Sequence, residues 1–89
     1  AARIGLSNVY YAQNEFDSAE AVLRSALEIS PSNGIVLNNL AHVLWKNGKH
    51  REASQYALMA IEGGGPHVDQ FRKTYLEIIS TQPTLKNPN

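Results

Sequence analysis

The sequence predicts an all-α fold in which antiparallel helix-turn-helix repeats stack into an α-solenoid of about five helices. Two observations carry this prediction: residues recur at a spacing of 34, and apolar residues follow helical spacing between segments that break helices. A repeat of this length is typical of stacked helical pairs, which bury their apolar faces only against their neighbours. The matched positions are Leu6/Leu40, Ser7/Ala41, Tyr10/Leu44, Ala19/Ala53, Leu23/Ala57 and Ala26/Ala60.

The first repeat contains two predicted helices, at about residues 2–13 and 18–29. Leu6, Val9 and Tyr10 share one face of the first helix, and the second shows amphipathic spacing. We expect the break between them at Asn14, because asparagine tolerates the left-handed conformation that ends many helices. Asp17 followed three residues later by Glu20 is a variant of the capping box, which predicts that the second helix starts there.

The second repeat follows the same plan, with predicted helices at about residues 35–47 and 51–62 and a break at Gly48. The segment 31–34, which contains proline and glycine, separates it from the first repeat. Three glycines at 63–65 end it, and Pro66 is predicted as the first residue of a fifth helix, about 66–80. The expected division is 1–33 and 34–66 for the repeats, 67–80 for a capping helix and 81–89 for a flexible tail.

The fifth helix is predicted to cap the open end of the solenoid, because one of its faces is apolar and the other polar. The predicted apolar face consists of Val68, Phe71, Tyr75, Ile78 and Ile79, and the predicted solvent face of Gln70, Lys73, Thr74 and Glu77.

Composition limits the possible functions. The chain of 89 residues is one small domain or a piece of a larger array, and its lack of an initial methionine suggests excision from a longer protein. Eight basic residues balance eight acidic ones without forming runs, which argues against nucleic-acid and membrane partners. Without cysteine, neither a disulfide nor a thiolate zinc site is possible. That absence favours the cytoplasm without excluding the periplasm, and no signal peptide or membrane-length apolar stretch is visible.

The spacing of these residues resembles the tetratricopeptide repeat, or TPR. The first repeat supplies Leu6-Ser7, Tyr10, Ala19, Leu23, Ala26 and Pro31 at the family's positions, and the second supplies Leu37, Leu40-Ala41, Leu44, Ala53, Ala57 and Ala60. Arg3, Ala57 and Gly65 depart from the pattern. The resemblance covers residues 1 to about 66 and implies stacking into a short right-handed superhelix. Small residues at Ser7, Ala19, Ala26, Ala41, Ala53 and Ala60 would let paired helices approach closely, with Leu6, Tyr10 and Leu23 filling the space beside them.

The resemblance also implies a concave groove lined by the first helix of every repeat, where peptides or helices of partner proteins dock. The groove positions are Ile4, Asn8, Tyr11, Asn38, Asn39, His42, Trp45 and Lys46, with Asp69, Arg72 and Leu76 on the last helix. We select Asn8, Tyr11, Asn38, His42, Trp45 and Arg72 as partner-binding residues, because aromatic rings give contact area and amides bond a peptide backbone.

Three of these positions have alternative interpretations. In the alternative interpretation, Trp45 only packs beneath the capping helix, Asn39 bonds the backbone of the neighbouring repeat, and His42 is a partly solvated groove residue without a ligand contact. One subgroup of the family grips a C-terminal carboxylate with asparagines and basic residues. Asn8, Asn39 and Arg72 resemble that clamp, whereas Ile4 and Leu76 stand where it would have further basic residues.

Motifs of catalysis are absent from the sequence. It has no nucleophile elbow, no phosphate-binding loop with its lysine and no zinc-spaced pair of histidines on a helix. His42, His50 and His67 fall on different segments, so we expect no metal and no cofactor.

The predicted function is therefore a protein–protein interaction module that binds a peptide or helix of a partner in its groove. The alternative is a structural spacer or self-association segment of a longer solenoid, because two repeats fall short of the three or so usually needed for independent stability. An enzyme is the least favoured of the three classes.

Overall fold

A computed structural model describes residues 2–81, with side chains described from residue 5 onward. The described chain forms five helices without strands, which confirms the predicted all-α repeat architecture. The helices are α1 (Ala2–Ala12), α2 (Phe16–Ile29), α3 (Gly34–Lys46), α4 (His50–Gly63) and α5 (Val68–Ser80). None of the described helices is long and apolar enough to cross a membrane. The predicted tail lies outside the described residues except for Thr81.

The two turns inside the repeats have the same geometry, as the 34-residue spacing predicts. Asn14 has a φ of 62° and Gly48 a φ of 81°, so both adopt the left-handed conformation. The next residue in each turn donates its backbone N–H back to the helix: Glu15 to the Tyr10 oxygen at 2.9 Å, and Lys49 to the Leu44 oxygen at 2.8 Å. These turns reverse the chain and bring α1 against α2 and α3 against α4.

The prediction of a capping box at the start of α2 was wrong. The helix begins at Phe16, the N-cap residue is Glu15, and no side chain caps the terminus. Asp17 instead accepts a 2.7 Å hydrogen bond from the Asn47 amide nitrogen of the next repeat, and Glu20 pairs with Arg24 at 2.8 Å. The two acids therefore make tertiary contacts, which spacing along the chain cannot distinguish from capping contacts.

The start of α5 also differs from the prediction. Gly64 and Gly65 have φ values of 67° and 91°, and they carry the chain through a turn before the helix begins at Val68 instead of Pro66. By contrast, α3 has a side-chain cap. The Asn33 amide oxygen accepts hydrogen bonds from the backbone N–H groups of Ile35 at 3.0 Å and Val36 at 3.2 Å.

The predicted seam of small residues is buried throughout. Close packing of each helical pair depends on these positions, because a larger side chain there would hold the helices apart. The buried small residues are Ser7, Ala19, Ala26, Ala41, Ala53 and Ala60.

Leu6 does not fill the seam as predicted: it is 44% exposed, while its counterpart Leu40 is fully buried. The cause is the number of neighbours, since α3 packs against α2, α4 and α5, whereas α1 packs mainly against α2. On α5, Phe71 and Ile78 are buried as predicted, but Thr74 is also buried instead of facing solvent. Thr74 lies 34 residues after Leu40 and therefore occupies the same core position.

Candidate functional site

A pocket of about 250 Å³ lies between the first helices of the two repeats. Its floor is apolar and its walls are polar, because Leu23 of α2 and Val43 of α3 are buried beneath groups that carry hydrogen-bonding atoms. The lining residues are Ser7, Asn8 and Tyr11 from α1, Leu23 from α2, and Asn39, His42 and Val43 from α3. None of these side chains is a carboxylate, a lysine or an arginine.

Helical spacing brings the polar walls together. Asn8 and Tyr11 are three residues apart on α1, and Asn39 and His42 are three residues apart on α3, so each pair occupies one helix face. The Tyr11 ring packs edge-on against Phe16, with ring centroids 5.5 Å apart, which fixes the phenol against the start of α2. The pocket therefore presents two amides, one phenol and one imidazole from a rigid frame.

His42 lines the pocket and also contacts α5. Its Nε2 lies 3.2 Å from the Thr74 hydroxyl oxygen, and that hydroxyl donates its own proton to the Gln70 backbone oxygen at 3.1 Å. Because a hydroxyl has one proton to donate, this pattern assigns the Nε2–H tautomer to His42. In the neutral ring Nδ1 is then left as an acceptor.

The protonation states of the pocket favour neutral groups. Burial lowers the pKa of His42, Glu77 partly opposes this effect, and Lys46 reinforces it. Burial and the nearby Glu77 carboxylate both raise the pKa of the Tyr11 phenol. At neutral pH the imidazole and the phenol therefore both remain uncharged and can form hydrogen bonds.

Of the six predicted partner-binding residues, the structure brings Asn8, Tyr11 and His42 into this pocket. Asn39, which the alternative interpretation assigned to contacts between repeats, also lines it. The side chain of Ile4, another groove position, lies outside the described side chains.

Asn38, Trp45 and Arg72 do not line the pocket. Asn38 is only 6% exposed, and its amide oxygen has no hydrogen-bond partner among residues 5–81. Trp45 donates its indole N–H to the Thr81 hydroxyl at 2.8 Å, which ties α3 to the end of α5. Arg72 lies on the exposed face of α5 and donates to Asp69 at 3.1 Å.

Sequence reasoning missed several contributors to the pocket. Ser7 and Leu23 were predicted only as seam residues, and Val43 was not singled out. The contact of Thr74 with His42 was missed because helical periodicity placed Thr74 on the solvent face. The 34-residue alignment of Thr74 with Leu40 was the signal that could have found it.

A second, more open depression lies between α2 and α4, on the second helices of the repeats, and its centre is occupied by an Arg24 network. The guanidinium donates to Glu20 at 2.8 Å, to Glu52 at 3.0 Å and to the Tyr56 hydroxyl at 3.1 Å. These bonds raise the pKa of Arg24, with the bond to Glu20 contributing most. Arg24 already bonds residues of both α2 and α4. This region is therefore better explained as a structural contact between the two repeats than as a ligand site.

The described residues also contain no group of three or more histidine, cysteine or acidic side chains that could hold a metal ion.

Comparison with known families agrees with the repeat geometry. A family described as TPR repeat matches residues 8–48, and one described as Tetratricopeptide repeat matches residues 36–63. No curated protein matches the chain. The two matches together span both helical pairs from Asn8 to Gly63, and TPR repeats generally mediate interactions between proteins. The chain belongs to the tetratricopeptide repeat family.

Proposed function

We propose that this protein binds an extended segment of another protein in the pocket between α1 and α3. The observation that carries the proposal is the convergence of four neutral polar side chains, Asn8, Tyr11, Asn39 and His42, over an apolar floor. A volume of about 250 Å³ is below the roughly 300–1,000 Å³ of pockets that enclose small molecules. It suits one anchoring side chain of a longer ligand.

The chemistry of the walls matches a peptide backbone. Each amide offers N–H donors and a carbonyl acceptor, while neutral His42 offers an acceptor at Nδ1. An extended segment presents donors and acceptors of the same kinds. The floor formed by Leu23 and Val43 would receive an apolar side chain of that segment.

A free C-terminal carboxylate fits the groove less well. Arg72 is paired with Asp69 on an exposed face. Leu76, which is 59% exposed, stands where the carboxylate clamp would have a further basic residue. An exposed ion pair between a ligand carboxylate and a single basic residue adds little binding energy. We therefore favour an internal segment over a chain terminus as the ligand.

The proposal is tested by selecting binders from a random 12-residue peptide library with the full 89-residue chain, followed by fluorescence-polarisation titration. The pocket variant Asn8→Ala/Asn39→Ala removes both amides. Glu28→Ala/Gln55→Ala is the matched control, since it changes two exposed residues on α2 and α4.

We expect the control to bind like the wild type and the pocket variant to lose about tenfold in affinity, since each lost hydrogen bond costs about 0.5–1.5 kcal/mol. Circular dichroism would confirm that both variants remain folded. Equal affinities of the pocket variant and the wild type, or the failure of the wild type to select any peptide, would contradict the proposal.

A second candidate function, self-association or a spacer role in a longer solenoid, is supported by the outer face of α1. Leu6 is 44% and Val9 51% exposed, while the equivalent Leu40 and Val43 are almost fully buried. This face therefore has the composition of a repeat contact without a described neighbour covering it.

Sedimentation velocity over a range of concentrations tests the self-association form of this candidate. If the face mediates association, the wild type forms dimers at high concentration and Val9→Lys remains monomeric. A wild-type chain that stays monomeric at its solubility limit would contradict self-association through α1.

A further inference from the structure

An acidic side chain beside the pocket, Glu77, has no partner of opposite charge in the described structure. Glu77 is exposed on α5. Among residues 5–81 the ion pairs join Arg24 to Glu20 and Glu52, Lys49 to Glu20, and Arg72 to Asp69, and none includes Glu77.

Two contacts between α3 and α5 place Glu77 at the edge of the pocket. Thr74 bonds His42, and Thr81 bonds Trp45, so these two threonines mark the face of α5 that is turned toward α3. Glu77 lies three residues after the first and four before the second, which puts it on or beside the same face. Its carboxylate influences the pKa of both Tyr11 and His42, one on each wall of the pocket.

Among the described basic residues, Lys46 of α3 also acts on the pocket, because its charge lowers the pKa of His42. The Lys46 ammonium lies 4.9 Å from the centre of the Trp45 ring, and the Arg72 guanidinium donates to Asp69. The described side chains that line the pocket are neutral. Glu77 is thus the charged residue of α5 whose carboxylate acts on both walls of the pocket.

We propose that the segment bound between α1 and α3 carries a lysine or arginine that pairs with Glu77, so that the partner is a basic internal peptide. This inference rests on the proposed function, because it names the chemical class of the ligand for the same pocket. A carboxylate or phosphate on the ligand at this position would meet Glu77 with like charge, which disfavours acidic and phosphorylated segments.

The test repeats the peptide selection with the wild type, Glu77→Gln and Glu77→Lys, all as full chains. Glu77→Gln removes the charge while keeping the size, and Glu77→Lys reverses it. Glu62→Gln, an exposed acid at the end of α4, is the matched control. The readout is the frequency of basic and acidic residues at each position of the selected peptides.

We expect the wild type and the control to enrich lysine or arginine at one position, Glu77→Gln to lose this enrichment, and Glu77→Lys to enrich aspartate or glutamate there. A lysine-bearing peptide should bind Glu77→Gln about two- to fivefold more weakly than the wild type, as for an exposed ion pair. That loss should shrink as salt is raised.

The possible outcomes distinguish a failure of this inference from a failure of the proposed peptide-binding function. Peptides that depend on Asn8 and Asn39 but show no basic preference, or a preference that persists in Glu77→Gln, would overturn the inference and leave the binding function intact. Failure of the wild type to select peptides at all would overturn both.

Discussion

The first helices of the two repeats, α1 and α3, carry equivalent residues in different environments. Asn8 and Tyr11 of α1 line an open pocket. Of their counterparts 34 residues later, His42 lines the same pocket but also bonds Thr74 of α5, and Trp45 does not line it and bonds Thr81 instead. The difference arises because α3 has neighbours on both sides. A repeat position therefore does not determine function by itself, since the next helix decides whether the side chain there is free to face the pocket or is also engaged in a structural contact.

The largest expected difference between the two helices concerns their core leucines. Leu40→Ala should lower the free energy of unfolding by about 2–5 kcal/mol, because it opens a cavity in a fully buried site. Leu6→Ala should cost about 1 kcal/mol or less, since Leu6 is already 44% exposed. Urea unfolding with unchanged m-values measures both. Equal losses would show that the two repeats do not differ as described.

A second contrast uses one glycine in each helix. An added methyl group at Gly34 would lie 2.8 Å from the Phe71 ring, whereas one at Gly5 would meet none of the described atoms within 4 Å. Gly34→Ala should therefore destabilise the fold by about 1–3 kcal/mol. Gly5→Ala should stabilise it by about 0.5–1 kcal/mol through higher helix propensity. Thermal unfolding of the two variants checks the opposite signs, and a stabilised Gly34→Ala would contradict the packing of α5 on α3.

The smallest expected effect is the pH response of His42. Its pKa should lie below the ordinary 6.5, and Glu77→Gln should lower it further because the carboxylate favours the charged ring. Since the unfolded chain then binds the proton more readily, this group makes stability fall as pH drops from about 6.5 toward the folded-state pKa. An NMR titration of the His42 ring measures this pKa in the wild type and in Glu77→Gln. A His42 pKa at or above 6.5 would contradict the burial described here.

The fold could be predicted from the sequence because the same pattern of apolar and small residues occurs twice, 34 residues apart. Five helices, the left-handed turns at Asn14 and Gly48 and the buried small residues follow from spacing and local conformational preference. The starts of α2 and α5 could not be predicted from spacing and local preference. Asp17 prefers a tertiary bond to Asn47 over a cap, and two glycines extend the turn before α5.

The site could be predicted only in part, because periodicity does not fix which way a helix face points relative to its neighbours. Asn38 and Asn39 are adjacent in sequence, yet Asn38 is buried while Asn39 lines the pocket. Thr74 was missed for the same reason, since a polar residue on a capping helix suggests solvent until its contact with His42 is known.

The most direct test of the binding site is amide chemical-shift mapping of the ¹⁵N-labelled full chain with the tightest peptide from the library selection. We predict that the perturbed amides cluster at residues 7–11 and 39–43, with smaller shifts around Glu77 of α5. Perturbations confined to the exposed faces of α2 and α4, with residues 7–11 unchanged, would contradict it.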